Sequence, residues 1–369
     1  MSRTPLPRPT LIPGLPRLWR GPDELQLGLD PAHAVLLRLP DPRTAKVLDL
    51  LDGDRSERAV LLRAAELGVP PEESRTLLDL LHRAGLVLPG AAFLPAALPP
   101  VSRARLSAEA AALALGAVAA ATGDPSPALV LRRRQGATVV ITGRGRLGAP
   151  IAVALAEAGV GHVYPDLSGA VGAGEVAGGP LGSADVGSPR RSATTAAILR
   201  AFPGTLVHAV RRPPAGLVVQ LACDEPVTLI AAGHAGRRQP HLAVVVRDGA
   251  VVVGPLVPAG GAPCLRCVEL HRQDRDAGWP GGLGAAAPGA EPCTVATLMA
   301  ATAYATAEVL AHLDGRRPET LGAAVEISAP GRFRRRTWPP HPGCACRRRA
   351  ATFTGPSPHK PKSTMRRAE

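Results

Sequence analysis

The stretch ATVVITGRGRLGAPIAVALAEAGVGHV, residues 137–163, decides how the chain folds. Residues 138–142 form a short β-branched run, the composition of a buried parallel strand. It leads directly into Gly143-Arg-Gly145-Arg146-Leu-Gly148, and then into an alanine-rich helical segment, 149–158, stopped by Gly159. Strand, glycine turn and helix are the context a G-x-G-x-x-G needs before it carries meaning. Its glycines supply a tight turn, room for backbone to approach a phosphate, and close helix–strand packing. The helix N-terminus then offers free N–H groups and the positive end of a dipole to an anion. Asp166 follows 143 at the distance expected of a ribose-binding acid closing a second strand.

The surrounding chain is long enough for two domains. Its 369 residues are 46% hydrophobic and 20% charged, ordinary for a globular protein. The opening MSRTPLPRPT lacks the apolar segment of a signal peptide, and the longest uncharged apolar run, 110–121, is too short for a bilayer. A cytoplasmic protein is the expectation, with no membrane partner. The formal net charge of +13 suggests nucleic acid at first sight. Most of that excess lies in the arginine-rich segment 332–369, and the rest of the chain is close to neutral. Nucleic acid is therefore an unexpected partner.

Taken in order, residues 1–90 read as short strands (18–20, 25–29, 34–39), three helices (44–51, 56–67, 71–84) and a strand at 86–88. Ser56 suits an N-cap, and Pro71 with two glutamates suits a helix start. This is a small winged-helix-like α+β module with no clear basic face, suited to docking a peptide on a strand edge. Residues 91–134 read as a Pro/Ala-rich linker followed by a helix over 106–122. Residues 135–349 then alternate strands and helices, with strands at 205–210 and 217–223 and a hairpin at 242–253. This pattern predicts a Rossmann-like, mostly parallel α/β sheet. The glycine- and alanine-rich stretch 168–187 shows no period, and 350–369 is expected to be a disordered basic tail.

Six cysteines in such a chain suggest metal or catalysis before disulfides. Cys264-Leu-Arg-Cys267 supplies two thiolates at a bite suited to tetrahedral Zn²⁺, and Cys344-Ala-Cys346 completes a closed site. The tighter second spacing leaves His341 as an alternative ligand. A redox pair of thiols stays open as a second reading.

Together these segments resemble the ThiF/MoeB/HesA family of ubiquitin-activating-enzyme-like adenylyltransferases. The segments are GRGRLG (143–148), AGVGHVYPD (158–166), ADVGSPR (184–190), VVQLACDEP (218–226), GGAPCLRCVELHR (260–272), EPCTVATLMAATAYATAEVL (291–310) and HPGCAC (341–346). The resemblance implies binding of ATP with Mg²⁺ and acyl-adenylation of the C-terminal carboxylate of a small carrier protein or peptide. It implies that Gly143, Gly145, Arg146 and Gly148 cradle the nucleotide and that Asp166 holds the ribose. By the same resemblance Asp224 is the magnesium-linked aspartate, Arg190 a phosphate contact and Cys293 an acyl-accepting cysteine. The zinc formed by Cys264, Cys267, Cys344 and Cys346 is structural, and a homodimer is the expected assembly. One departure stands out: the family's Asn-x-x-Arg-Gln segment, whose arginine contacts the triphosphate, has no counterpart in 168–187. The small N-terminal module resembles PqqD, as in the ThiF-like proteins of azole-forming bacteriocin cyclodehydratases. There such a protein binds a precursor's leader peptide beside a YcaO-like enzyme and need not turn over ATP. Enzyme and recognition scaffold are the two functional expectations.

Overall fold

A computed structural model describes residues 4–31, 33–120, 125–210, 214–279, 281 and 291–346. The expected tail at 350–369 lies outside the described residues. The chain divides into two compact units, Met1–Ala137 with Val153–His162 and Ile198–Leu206, and Thr138–Ala152 with Val163–Ala197 and Val207–Glu369.

In the first unit, β1 (Pro9–Leu11) pairs antiparallel with β5 (Val87–Pro89). The strands β2 (Arg17–Trp19), β3 (Glu24–Leu27) and β4 (Val35–Arg38) form an antiparallel sheet with β3 in the middle. A 3₁₀ stretch, Pro42–Leu50, and helices α1 (Glu57–Glu66) and α2 (Pro71–Arg83) lie between β4 and β5. Ser56 caps α1 by accepting from the Ala59 N–H at 3.2 Å. Val47, Leu48, Val60, Leu77, Leu78 and Leu81 are buried, so the apolar spacing legible in the sequence is the core of this unit. The linker expected after residue 90 is instead helical. It holds a single turn α3 (Gly90–Phe93), a long α4 (Pro100–Ala120) that begins well before residue 106, and α5 (Pro127–Gly136). The prolines stand at or before helix starts, where a missing N–H costs nothing, so they open helices and do not mark a linker.

A seven-stranded sheet organises the second unit, in the order β12-β11-β10-β9-β8-β6-β7. The α/β elements follow in chain order as β6 (Thr138–Gly143), α6 (Gly148–Glu157), β7 (His162–Leu167), α7 (Arg190–Ala201), β8 (Leu217–Gln220), α8 (Val227–Gly236) and β9 (His241–Arg247), with residues 153–157 of α6 and 198–201 of α7 counted in the first unit. β8 pairs in parallel with both β6 and β9. The hairpin seen in the sequence continues β9 into β10 (Ala250–Val257) and is the start of an antiparallel extension. After α9 (Leu265–Arg275) and α10 (Val295–Leu313), β11 (Ala323–Ala329) and β12 (Arg332–Thr337) complete it. α10 packs against β10 and β11. The strand expected at 205–210 is absent, and Leu206 makes only an isolated bridge with His162. The glycine-rich stretch after β7 holds two 3₁₀ turns, Ala173–Glu175 and Ser183–Asp185. It is tied down by Val171 N–H to Ser188 O and Gly187 N–H to Val171 O, both 2.9 Å. Among the described residues no helix is long and apolar enough to cross a membrane.

Candidate nucleotide site and metal centre

The loop from β6 to α6 needs its glycines for three separate reasons. Gly143 and Gly145 hold φ of +109° and +113°, the region that L side chains rarely adopt. A Cβ at Gly143 would lie 2.7 Å from Ala222 O, and one at Gly145 would lie 2.7 Å from a Glu291 carboxylate oxygen. Gly148 has ordinary φ, but a Cβ there would come within 2.9 Å of Leu167, so this glycine serves helix–strand packing.

The loop's polar groups are engaged by two carboxylates. The Arg146 N–H donates to Glu291 Oε2 at 2.9 Å, and the Arg146 guanidinium donates to Cys293 O at 2.7 Å and Glu291 O at 3.3 Å. Burial pushes the Glu291 carboxyl above its ordinary range, against the lowering effect of the Arg146 N–H. The loop thus holds an anion, supplied by the chain itself. On the other side, Arg144 N–H donates to Ala222 O at 2.9 Å. Its guanidinium grips Asp224 through both carboxylate oxygens, one of the contacts being 2.6 Å. That pairing holds the exposed Asp224 carboxyl below the usual range. Cys293 is half-buried, and burial raises its thiol, so it is protonated at neutral pH.

Asp166, Arg190 and the stretch after β7 form a second group. Asp166 pairs with Arg191 at 2.5 Å, and the Arg191 guanidinium lies 5.5 Å over the ring of Tyr164. Arg190 itself is turned inward and is 9% exposed. It donates from Nε and Nη2 to Glu175 at 2.8 and 2.7 Å, from Nη2 to Ala170 O at 2.7 Å, and to Ser168 O. Its neighbour Arg191, which the sequence reading passed over, is the arginine that faces the expected ribose acid. Helical phase separates the two roles: adjacent residues on α7 point about 100° apart.

The four predicted thiols converge. Cys264 and Cys344 Sγ are 3.7 Å apart, Cys267 and Cys346 3.3 Å, and Cys264 and Cys267 4.0 Å. A tetrahedral zinc with bonds of about 2.3 Å requires sulfur–sulfur edges of about 3.8 Å, so the cluster fits such an ion. No cystine links them. A hydrogen bond from Cys264 holds the Cys267 thiol down at about 4, while burial pushes Cys346 up to about 12. His341, the alternative ligand, lies outside the cluster. Its Nε2 faces Asp274 at 2.8 Å and its Nδ1 accepts from Gly343 N–H at 3.0 Å. The sulfurs tie the start of α9 to residues 344–346 after β12. Cys223, read as a core residue, is half-buried and packs beside Val227, Ile230 and Ala243.

No family model matches the chain. No curated protein matches it by sequence. Solved structures do match it in shape. The E. coli MccB structure with ATP superposes with a TM-score of 0.59 at 17% identity, covering 92% of this chain and 99% of that one. A structure of the microcin C7 biosynthetic enzyme MccB in complex with N-formylated MccA gives 0.56 at 16% identity, with the same coverages. PaaA gives 0.59 at 16%, covering 88% of this chain and 98% of that one. The fold is shared with these proteins over 88–92% of this chain.

Proposed function

We propose that the protein binds ATP at the 143–148 loop and adenylates the C-terminal carboxylate of a small peptide or carrier protein. The observation that carries this reading is the anion already seated on the loop: the Arg146 N–H donates to the Glu291 carboxylate. Backbone N–H groups at a helix start suit phosphate oxygens for the same reason. The likeness to structures solved with ATP and with the peptide MccA supports the same chemistry.

In this reading a peptide carboxylate oxygen attacks the α-phosphorus. A C–O–P mixed anhydride forms, the bond to the β-phosphate oxygen breaks, and pyrophosphate leaves with the electron pair. The chain must neutralise charge on the leaving group, and Arg144 and Arg146 flank the loop to do so. Asp166 and Arg191 flank the ribose. With Arg144 turned to phosphate, Asp224 would be the residue to hold Mg²⁺, which would supply neutralisation of phosphate charge. Arg190 acts as a positioning residue that fixes 168–175 through Glu175. Cys264, Cys267, Cys344 and Cys346 hold a structural zinc. Cys293 would accept the acyl group, with AMP as the leaving group, only as a thiolate, and burial works against that form.

A second reading, a leader-peptide-binding partner without turnover, is favoured by two contacts. Glu291 fills the anion position, and Arg144 occupies the aspartate that magnesium needs. In that reading the exposed edge strand Arg17–Trp19 of the PqqD-like module receives the peptide, and a YcaO-like enzyme performs the chemistry. Exchange of labelled pyrophosphate into ATP separates the two. Exchange stimulated by synthetic peptides with free C-terminal carboxylates, and abolished by C-terminal amidation, supports adenylation. ATP binding without exchange by any peptide overturns it in favour of the second reading.

A further inference from the structure

A cavity of about 290 Å³ lies away from the glycine loop, between α9 and the antiparallel strands. Its lining is dominated by Arg247, Arg272, Arg275 and Arg336, with Trp279 and Trp338. In the pairing of β10, β11 and β12, Val252 lies opposite Glu326, and Ala324 lies opposite Arg336. These residues therefore share one sheet face and form the cavity floor. Arg272 and Arg275, three apart on α9, project onto that face together.

The two tryptophans act as platforms for the guanidiniums. Trp279 is anchored by its N–H to the buried Glu269, at 2.9 Å. Arg272 and Arg247 lie 5.1 and 5.8 Å from its ring, and Arg275 lies 5.2 Å from that of Trp338. Stacking on an indole spends a guanidinium's face and leaves its N–H edge for an oxyanion. Two carboxylates line the cavity, and Glu269, which holds Trp279 through one oxygen, has no hydrogen-bond partner for the other among the described residues. Glu326 sits 3.6 Å from Arg336, and Asp276 accepts from Gly278 N–H at 2.9 Å. Arg247, Arg272 and Arg275 have no hydrogen-bond or ion-pair partner among the described residues. The intervening sequence from 280 to 290 carries no charged side chain. Trp338 is 7% exposed, and its N–H also lacks a partner among the described residues. Burial, with Arg247 and Arg336 close by, lowers Arg272 to about 10, against the raising effect of Glu269.

We propose that this cavity is a second anion site, which takes a small phosphate-bearing ligand of the diphosphate class on the N–H edges of Arg247, Arg272 and Arg275. The volume admits a small group and not a folded partner. Three unpaired guanidiniums need a ligand with several charges and several oxygens, which a diphosphate has and a single carboxylate lacks. The site shares no residue with the glycine loop.

Calorimetric titration of inorganic pyrophosphate into the full chain tests this. The account expects binding that persists in Gly145→Val, where the nucleotide loop is blocked. It expects affinity to fall by about tenfold or more in Arg272→Gln/Arg275→Gln, the loss of charge-assisted contacts. Zinc content and thermal unfolding should stay unchanged in that double variant. Arg247→Gln/Arg336→Gln, on separate strands, should weaken binding likewise. Unchanged affinity in both double variants overturns the proposal, as does loss of all binding in Gly145→Val. Glutamate binding as tightly as pyrophosphate overturns the diphosphate assignment.

Discussion

At the scale of single residues, Glu291 is the side chain on which the proposed nucleotide site turns. Its carboxylate sits on the Arg146 N–H and against the α-carbon of Gly145, so an incoming phosphate must displace it. Replacing it with glutamine removes the competing charge, and Glu291→Gln should bind ATP about tenfold more tightly than the natural chain, one charge-assisted hydrogen bond's worth. The pH dependence follows from the raised carboxyl of Glu291. As pH falls through its pKa, above the ordinary glutamate value of about 4.3, the group becomes neutral and competes less. Fluorescent-nucleotide titrations should therefore show affinity rising as pH is lowered in the natural chain, and a flatter profile in Glu291→Gln. Equal profiles would remove Glu291 from the site. Arg190 belongs to a different class of residue. Its side chain and that of Glu175 are each 10% exposed. Arg190→Ala strands a buried carboxylate, so urea unfolding should report a loss of about 3–5 kcal/mol. The double variant Arg190→Ala/Glu175→Gln should recover part of that loss.

At the scale of elements, the sequence reveals what local chemistry determines and hides what long-range contact determines. The β6–loop–α6 unit was legible because three glycines, a β-branched run and an alanine-rich segment each specify their own conformation. The four thiols were legible because a metal site announces itself by spacing. The partners of the loop were not, since Glu291 follows Arg146 only after most of the sheet has intervened. Arg191 was missed in favour of Arg190 because neighbouring helical residues differ only in phase. The strand β12, RFRRRT, is exposed throughout and has no apolar alternation to reveal it. A row of arginines along a sheet's edge strand also discourages pairing with another chain. The apparent strand at 205–210 reaches its neighbour only through one bridge, Leu206 to His162, and makes no ladder. Around α9 the four sulfurs join elements remote in sequence. Cys344→Ser should take zinc content from one ion per chain to none, by elemental analysis, and lower the thermal midpoint. Full zinc retention in that variant would contradict the four-sulfur assignment.

At the scale of the whole molecule, the chain shares its fold with the E. coli MccB structure over 92% of its own length and 99% of that chain. The activity proposed for it rests on one physical property, an anion-binding loop at the start of α6. A side chain at position 145 would meet both a backbone at φ +113° and the Glu291 carboxylate, so Gly145→Val blocks the loop without touching the zinc cluster. The decisive measurement is calorimetric titration of ATP with magnesium into the natural chain and Gly145→Val, with zinc content measured on both. The account predicts saturable one-site ATP binding in the natural chain and none in the variant, with zinc retained in each. ATP binding of equal strength in Gly145→Val, or none in the natural chain, would contradict it.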